Sequence, residues 1–344
     1  MEKPFKTTYD RKGLRPRYPE SIPPEKIREK LLELFGMADI PEQVDFTTGD
    51  SRVEDDIRLT DLSYANSHRE TVPAILIEPL DNPDEYLPGV VCVPGTGGSA
   101  ERMALERFYK DGPNEPPLYG WARELARRGY VTLAISPKGC HGRGTNEVSW
   151  YIELKHLLAY GISQMGLLVE EALRGVRVLQ VQERIGHNKV GLTGMSLGGN
   201  ATWYAMACAP WLAAGVPICG GVGQLESVIQ GGDLYRHSAY FYVPHMLRYF
   251  DHPEIVAHCI APRPFMMVAP TSDEDMPKSG VDALIRTVAP VYRDAGAGDQ
   301  FRVYQPDGNH VFRFEYFEWM VDWFDRFLKG ETGANTLDDR RSPS

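Results

Sequence analysis

No apolar run in this chain approaches the roughly twenty residues that a membrane-spanning helix needs. The opening stretch, MEKPFKTTYDRKG, has no apolar segment, so no secretory signal is expected there. Positive charge is scarce: 37 Lys and Arg face 47 Asp and Glu, a net charge of −10. That balance argues against nucleic acid or an anionic membrane as partner. The one basic cluster, YDRKGLRPRYP, reads as a solvated arm. Cysteine is sparse and odd in number: Cys92, Cys140, Cys208, Cys219 and Cys259, with no CxxC pair. Free buried thiols in a reducing, cytoplasmic setting are expected instead of a disulfide framework. Only Cys140, in the loop PKGCHGRG, is placed for reactivity, and no cysteine-enzyme signature surrounds it.

Metal and nucleotide motifs are missing as well. His237, His245, His252 and His258 follow one another at gaps of 8, 7 and 6 residues. Such gaps do not share one helix face, and HExxH does not occur, so no metal is expected. There is no Walker motif. Gly95-x-Gly97-x-x-Ala100 matches a dinucleotide fingerprint after a strand-like run. The next run, however, ends in Ser136-Pro137-Lys138, where the fingerprint wants an acid for the ribose. No organic cofactor is expected.

What the chain does have is apolar material, 42% of 344 residues, enough for a large core. The stretch PPEKIREKLLELFGM predicts a helix, with Ile27, Leu31 and Phe35 on one face and Gly36 near its end. IRLTDLSYA and VPAILIEP predict antiparallel strands at a sheet edge. Six short apolar runs follow: GVVCVPG, YVTLAIS, KVGLTG, AGVPICGG, PFMMVAP and FRVYQP. They are apolar on both faces and alternate with helical stretches, which suits a parallel sheet covered on both sides. The last helical stretch carries a stripe of Phe317, Met320, Val321, Phe324 and Leu328. The fold class is thus α/β, a mostly parallel eight-stranded sheet with helices on both faces. The expected organisation is an N-terminal arm and helix over residues 1–50, one catalytic domain over 51–330 and a tail over 331–344.

Between the run KVGLTG and the helical stretch GGNATWYAMACA lies Gly194-Met195-Ser196-Leu197-Gly198, a G-x-S-x-G. Strand, turn and helix are the context in which that pattern makes Ser196 a candidate nucleophile. The serine would sit on a cramped turn where side chains at Gly194 and Gly198 collide. Gly199 would let the helix pack closely. The helix N-terminus would favour negative charge developing at the serine.

With ERIGHNKVGLTGMSLGGNA, VVCVPGTGGS, IAPRPFMMVAPTSDEDMP and PDGNHVF, the chain resembles the α/β-hydrolase superfamily from about residue 50 to 330. Within it the likeness is to the dienelactone-hydrolase, acetyl-xylan-esterase and prolyl-oligopeptidase-like branch. The resemblance implies the chain order Ser, acid, His. The excursion GGDLYRHSAYFYVPHMLRYFDHPE is short, so no large cap is expected. It makes His310 the base and Asp273 the acid, with Asp275 and Glu226 as alternatives. It also implies an oxyanion site made of the N–H groups of Leu197 and Thr96, with Gly97 as fallback. Relatives usually have His-Gly where this chain has Pro94-Gly95.

The expected activity is hydrolysis of small carboxylic esters, acetyl esters or lactones, through an acyl-enzyme. A peptidase on the same triad and an inactive binding protein are the rival readings. Tyr240, Tyr242 and Trp150 are candidates for lining the pocket. The same aromatics equally suit packing on the sheet edge or a contact between copies, which leaves a homo-oligomer open.

Overall fold

The computed structural model describes residues 22–37, 39–106, 108, 118–140, 143, 147–231 and 237–330. The arm over 1–20 and the tail over 331–344 lie outside them.

Among the described residues, nine strands form one sheet. They are β1 (Phe46–Glu54), β2 (Ile57–Ala65), β3 (Thr71–Pro79), β4 (Leu87–Val93), β5 (Val131–Ile135), β6 (Ile185–Met195), β7 (Ala214–Ile218), β8 (Phe265–Val268) and β9 (Phe301–Tyr304). Their order across the sheet is β1-β2-β3-β5-β4-β6-β7-β8-β9. The first three are antiparallel, and β3 meets β5 antiparallel. From β5 to β9 every pairing is parallel.

The strand count corrects the expectation of eight. The extra strand is β1, which begins before the residue-50 boundary. Its sequence, FTTGDSRVE, is polar, and none of its residues is buried. Its register on β2 slips between Thr48 and Ser51. An exposed, bulged edge strand buries too little to leave a period-2 signature.

The helices are α1 (Ile27–Phe35), α2 (Ala100–Ala104), α3 (Trp121–Arg127), α4 (Glu147–Ala159), α5 (Gln164–Gln180), α6 (Leu197–Cys208), α7 (Leu225–Gly231), α8 (His252–Ile255), α9 (Lys278–Asp294) and α10 (Phe314–Phe324). They pack on both faces of the sheet. On one face α1, α5, α6 and α9 share a core with Val91 and Val93 of β4. On the other, α2, α3 and α10 share a core with Val90 and Cys92 of the same strand. Alternate side chains of a strand point to opposite faces, so a strand covered twice must be apolar throughout. The expected stripe from Phe317 to Leu328 lies in the second of these cores. On α1, Ile27, Leu31 and Phe35 are buried as predicted. Each such side chain contributes about 1.5–3 kcal/mol.

A buried polar network surrounds Glu171 of α5, which has no exposed surface. Its carboxylate accepts hydrogen bonds from Asn66 (2.8 Å), the Lys138 backbone N–H (2.8 Å) and both Arg143 Nη atoms (2.8 and 2.9 Å). Lys138 Nζ in turn pairs with Glu70 and Glu153, each at 2.7 Å. A buried carboxylate is tolerated because every donor aimed at it is a partner. Lys138 and Arg143, which follow β5, are thereby tied to α5.

Between β7 and β8 the chain makes a short helical excursion. Asp251 pins it. Its carboxylate accepts from the backbone N–H groups of Leu225 (2.7 Å), Glu226 (3.1 Å) and His252 (2.6 Å). Asp251→Ala leaves all three donors unpaired in a buried site. It should lower unfolding stability by about 2–3 kcal/mol, read as a lower urea midpoint. An unchanged midpoint would contradict the pinning role.

Candidate active site

The turn from β6 into α6 is dictated by contact with β4. Ser196 has φ 57° and ψ −115°, a conformation that costs a residue with a Cβ of order 1–3 kcal/mol. A Cβ on Gly198 would stand 2.1 Å from the Val93 carbonyl oxygen, and one on Gly194 would stand 2.5 Å from the Gly198 carbonyl carbon. Both positions therefore exclude any larger residue. A Cβ on Gly199 would meet Gly220 Cα at 2.6 Å, so α6 approaches the end of β7 as closely as expected. The Ser196 N–H donates to the Ile218 carbonyl at 3.0 Å, which fixes the turn to β7 as well. Asn200 Nδ2 reaches the Ser196 carbonyl at 3.2 Å. The hydroxyl of Ser196 is partly exposed and makes no hydrogen bond among the described residues.

Asp273 and His310 come together because the loops after β8 and β9 are zipped. The Thr271 N–H donates to the Pro306 carbonyl (2.9 Å) and the Ser272 N–H to the Gly308 carbonyl (3.0 Å). Asp273 Oδ1 then lies 2.9 Å from His310 Nδ1. The same oxygen accepts the Asp275 N–H at 2.9 Å. Asp273 is buried, at 7% exposure. Of the two alternatives, Asp275 stands at the other ring nitrogen, its Oδ2 3.4 Å from Nε2. Glu226 lies at the start of α7, with its N–H bound to Asp251.

On the oxyanion side, Leu197 is the first residue of α6, where N–H groups have no partner within the helix. The loop after β4 folds back on itself through Gly98 N–H to the Gly95 carbonyl at 2.9 Å. The Gly97 N–H is taken by the Gly139 carbonyl at 3.1 Å, so the fallback donor is occupied. Thr96 is exposed at the loop tip. Pro94 leaves no imidazole to brace this loop. The Glu171-anchored loop holds it instead, through Gly139 and through Ser136 Oγ, which accepts the Ala100 N–H at 2.8 Å.

Several neighbours were not foreseen. Cys219, with φ 48°, directly follows β7. Its Sγ, the Asp273 carboxylate and a His310 ring nitrogen lie within 4.8 Å of one another. Cys, Asp and His can ligate zinc, but here Asp273 and His310 already engage each other. His237 stacks on Phe241, ring centroids 3.6 Å apart, and its Nε2 contacts the Asp275 carbonyl. Burial lowers the His237 pKa, so the ring is neutral at pH 7. Burial raises the Tyr240 hydroxyl, partly offset by hydrogen bonding with Thr96 and Asn200. Tyr242 lies by Asp275, while the Trp150 side chain is outside the described residues. Only the spacing of aromatic residues hinted at this cluster; its partners come from distant loops.

With this geometry in place, comparison with known proteins is informative. The chain is 28% identical over 306 residues to the candidate hydrolase YtaP of Bacillus subtilis (strain 168), a match covering 86% of this chain and 98% of that protein. A candidate acetyl xylan esterase from Bacteroides fragilis NCTC 9343 superposes with a TM-score of 0.70 at 18% identity, over 92% of this chain and 93% of that one. A glucuronoyl esterase from Solibacter usitatus superposes with a TM-score of 0.63 at 14% identity, over 87% and 91%. No protein-family model matches the chain. The chain has the α/β-hydrolase fold, in the form resembled by acetyl xylan esterases and dienelactone hydrolases. No helix among the described residues is long and apolar enough to cross a membrane.

The thiols are also predictable. Burial pushes Cys219 and Cys140 well up from the usual thiol range, and Cys259 to about 11. Only the thiolate is nucleophilic, so all three stay protonated at pH 8. Iodoacetamide on the native protein at pH 8 should leave Cys140 and Cys219 unalkylated by peptide mass spectrometry. Fast alkylation of Cys140 would restore it as a reactive centre.

Proposed function

We propose that the chain is a serine esterase that hydrolyses small carboxylic esters through a Ser196–Asp273–His310 triad. The observation that carries this reading is the backbone of Ser196, held at positive φ between glycines that cannot be replaced. Strain of that kind in a non-glycine residue supports a functional role. The hydrogen-bonded Asp273–His310 pair and the esterase neighbours on the same fold support the rest.

In the proposed mechanism Ser196 Oγ attacks the acyl carbon while His310 Nε2 takes its proton. Asp273 keeps the Nδ1 proton in place and stabilises the imidazolium. The N–H groups of Leu197 and Thr96 receive the developing oxyanion. His310 then protonates the leaving alcohol, the acyl-enzyme remains on Ser196, and water activated by His310 releases the acid. Ordinary acyl transfer of this kind needs no cofactor. Acetyl esters and lactones are the proposed substrates, and the buried free thiols suit a reducing, cytoplasmic compartment.

The test is steady-state kinetics on p-nitrophenyl esters of increasing acyl length, beside a panel of peptide amides. Short-chain esters should be turned over and the amides not. Ser196→Ala should lose at least about 10⁴-fold in kcat. Asp273→Asn should lose about 10³–10⁴-fold, the size seen when a triad's orienting acid is neutralised. Glu226→Gln should retain most activity. Faster amide than ester turnover would favour the peptidase reading, and a fully active Asp273→Asn would remove Asp273 from the triad.

A further inference from the structure

His310 is held between two carboxylates. Asp273 Oδ1 lies 2.9 Å from Nδ1, and Asp275 Oδ2 lies 3.4 Å from Nε2. Nε2 is the nitrogen that the proposed mechanism needs at Ser196, whose hydroxyl makes no hydrogen bond among the described residues. The Asp275 backbone has little freedom. Its N–H is bound to Asp273 Oδ1, and its carbonyl contacts Nε2 of His237, a ring stacked on Phe241. The backbone on which the carboxylate hangs is thus fixed at the triad, and the carboxylate leaves Nε2 only by rotating its side chain.

We propose that Asp275 is a second positioning residue for His310, a latch that holds Nε2 in the resting protein and must release it before Ser196 is activated. This rests on the serine-esterase reading. The latch competes with Ser196 for one nitrogen. It also adds negative charge beside the ring, which favours the imidazolium, the form that cannot act as base. Four further groups around His310 are found among the described residues. Glu274 Oε2 accepts the His310 backbone N–H at 3.4 Å and adds to the negative charge. Asp273 favours the charged ring from the opposite side. Burial raises the Cys219 thiol pKa and lowers that of His237, so both are biased toward their neutral forms. Releasing Asp275 therefore exposes Nε2 and weakens the imidazolium together. An ester seated over Ser196 would displace the carboxylate and so switch on the base only where substrate is present.

The sign of the pH effect follows. Without the Asp275 charge the imidazole gives up its proton at lower pH, so the acid limb of the rate profile moves down. The experiment is inactivation by a fluorophosphonate, followed from pH 5 to 10, on wild type, Asp275→Asn and Asp275→Ala. Each rate is normalised to that protein's own value at pH 9. Well below both midpoints, on the acid limb, both variants should show a normalised rate about tenfold above wild type, the limb lying about one pH unit lower. The one-dimensional proton NMR signal of the His310 Nδ1–H, which moves upfield when the ring loses its Nε2 proton, should make that move at correspondingly lower pH. Variants whose limb coincides with wild type, or whose rates fall equally at every pH, would overturn the latch. A wild type that stays unlabelled at every pH would instead overturn the serine-esterase reading on which the latch depends.

Discussion

The contact between the Gly198 backbone and the Val93 carbonyl is the constraint on which the candidate site depends. There is no room for a Cβ at that point: an added one would lie 2.1 Å from the oxygen. The turn after β6 is thereby pressed against β4 on one side and hydrogen-bonded to β7 on the other. The chain can make this passage only if Ser196 takes a positive φ. The side chain that carries the strain is lifted clear of the core, at the edge of the sheet where its parallel strands end. Ligands of open α/β sheets bind outside that edge, so the serine is delivered to the place where the fold can offer a pocket. The strain is sustained because the packing of two adjacent strands and a helix over-determines it.

The other parts of the site are brought in by pieces of backbone that brace one another. The loop after β8 is laced to the loop after β9, which sets Asp273 under His310. The loop after β4 begins with Pro94, which offers no side-chain hydrogen bond to brace it. It leans on the loop after β5, itself held by the buried Glu171 with Arg143 and Lys138. A salt-bridged network inside a protein contributes little net stability, and its worth here is positional. It holds the Gly139 carbonyl where the Gly97 N–H meets it, and so sets the loop that carries Thr96.

What was legible in the sequence followed burial. Runs apolar on both faces, such as VVCV and FMMV, could only be central strands, and both became β4 and β8. The stripe on α10 could only face the core. β1 was hidden because its residues are exposed and its register slips, so no periodicity marks it. Within the site, Ser196 was legible because its strain requires glycines at fixed neighbouring positions. The pairing of Asp273 with His310 was open to alignment, but spacing alone could not single it out, since two other acids stood within two residues. The place of Asp275 at Nε2, and of Cys219 beside the pair, was not legible at all. Those contacts join β7, β8 and β9 loops through close approaches that leave no local pattern. The occupied Gly97 N–H was hidden for the same reason, because its partner Gly139 lies in another loop.

The central claim is that the fold strains Ser196 in order to present a nucleophile. The most direct measurement is covalent: react the native protein with a fluorophosphonate, digest it, and locate the adduct by mass spectrometry. The account predicts one stoichiometric adduct, on Ser196, that is absent from the heat-denatured protein and from Ser196→Ala. An unlabelled native protein, or an adduct on any other residue that persists in Ser196→Ala, would contradict it.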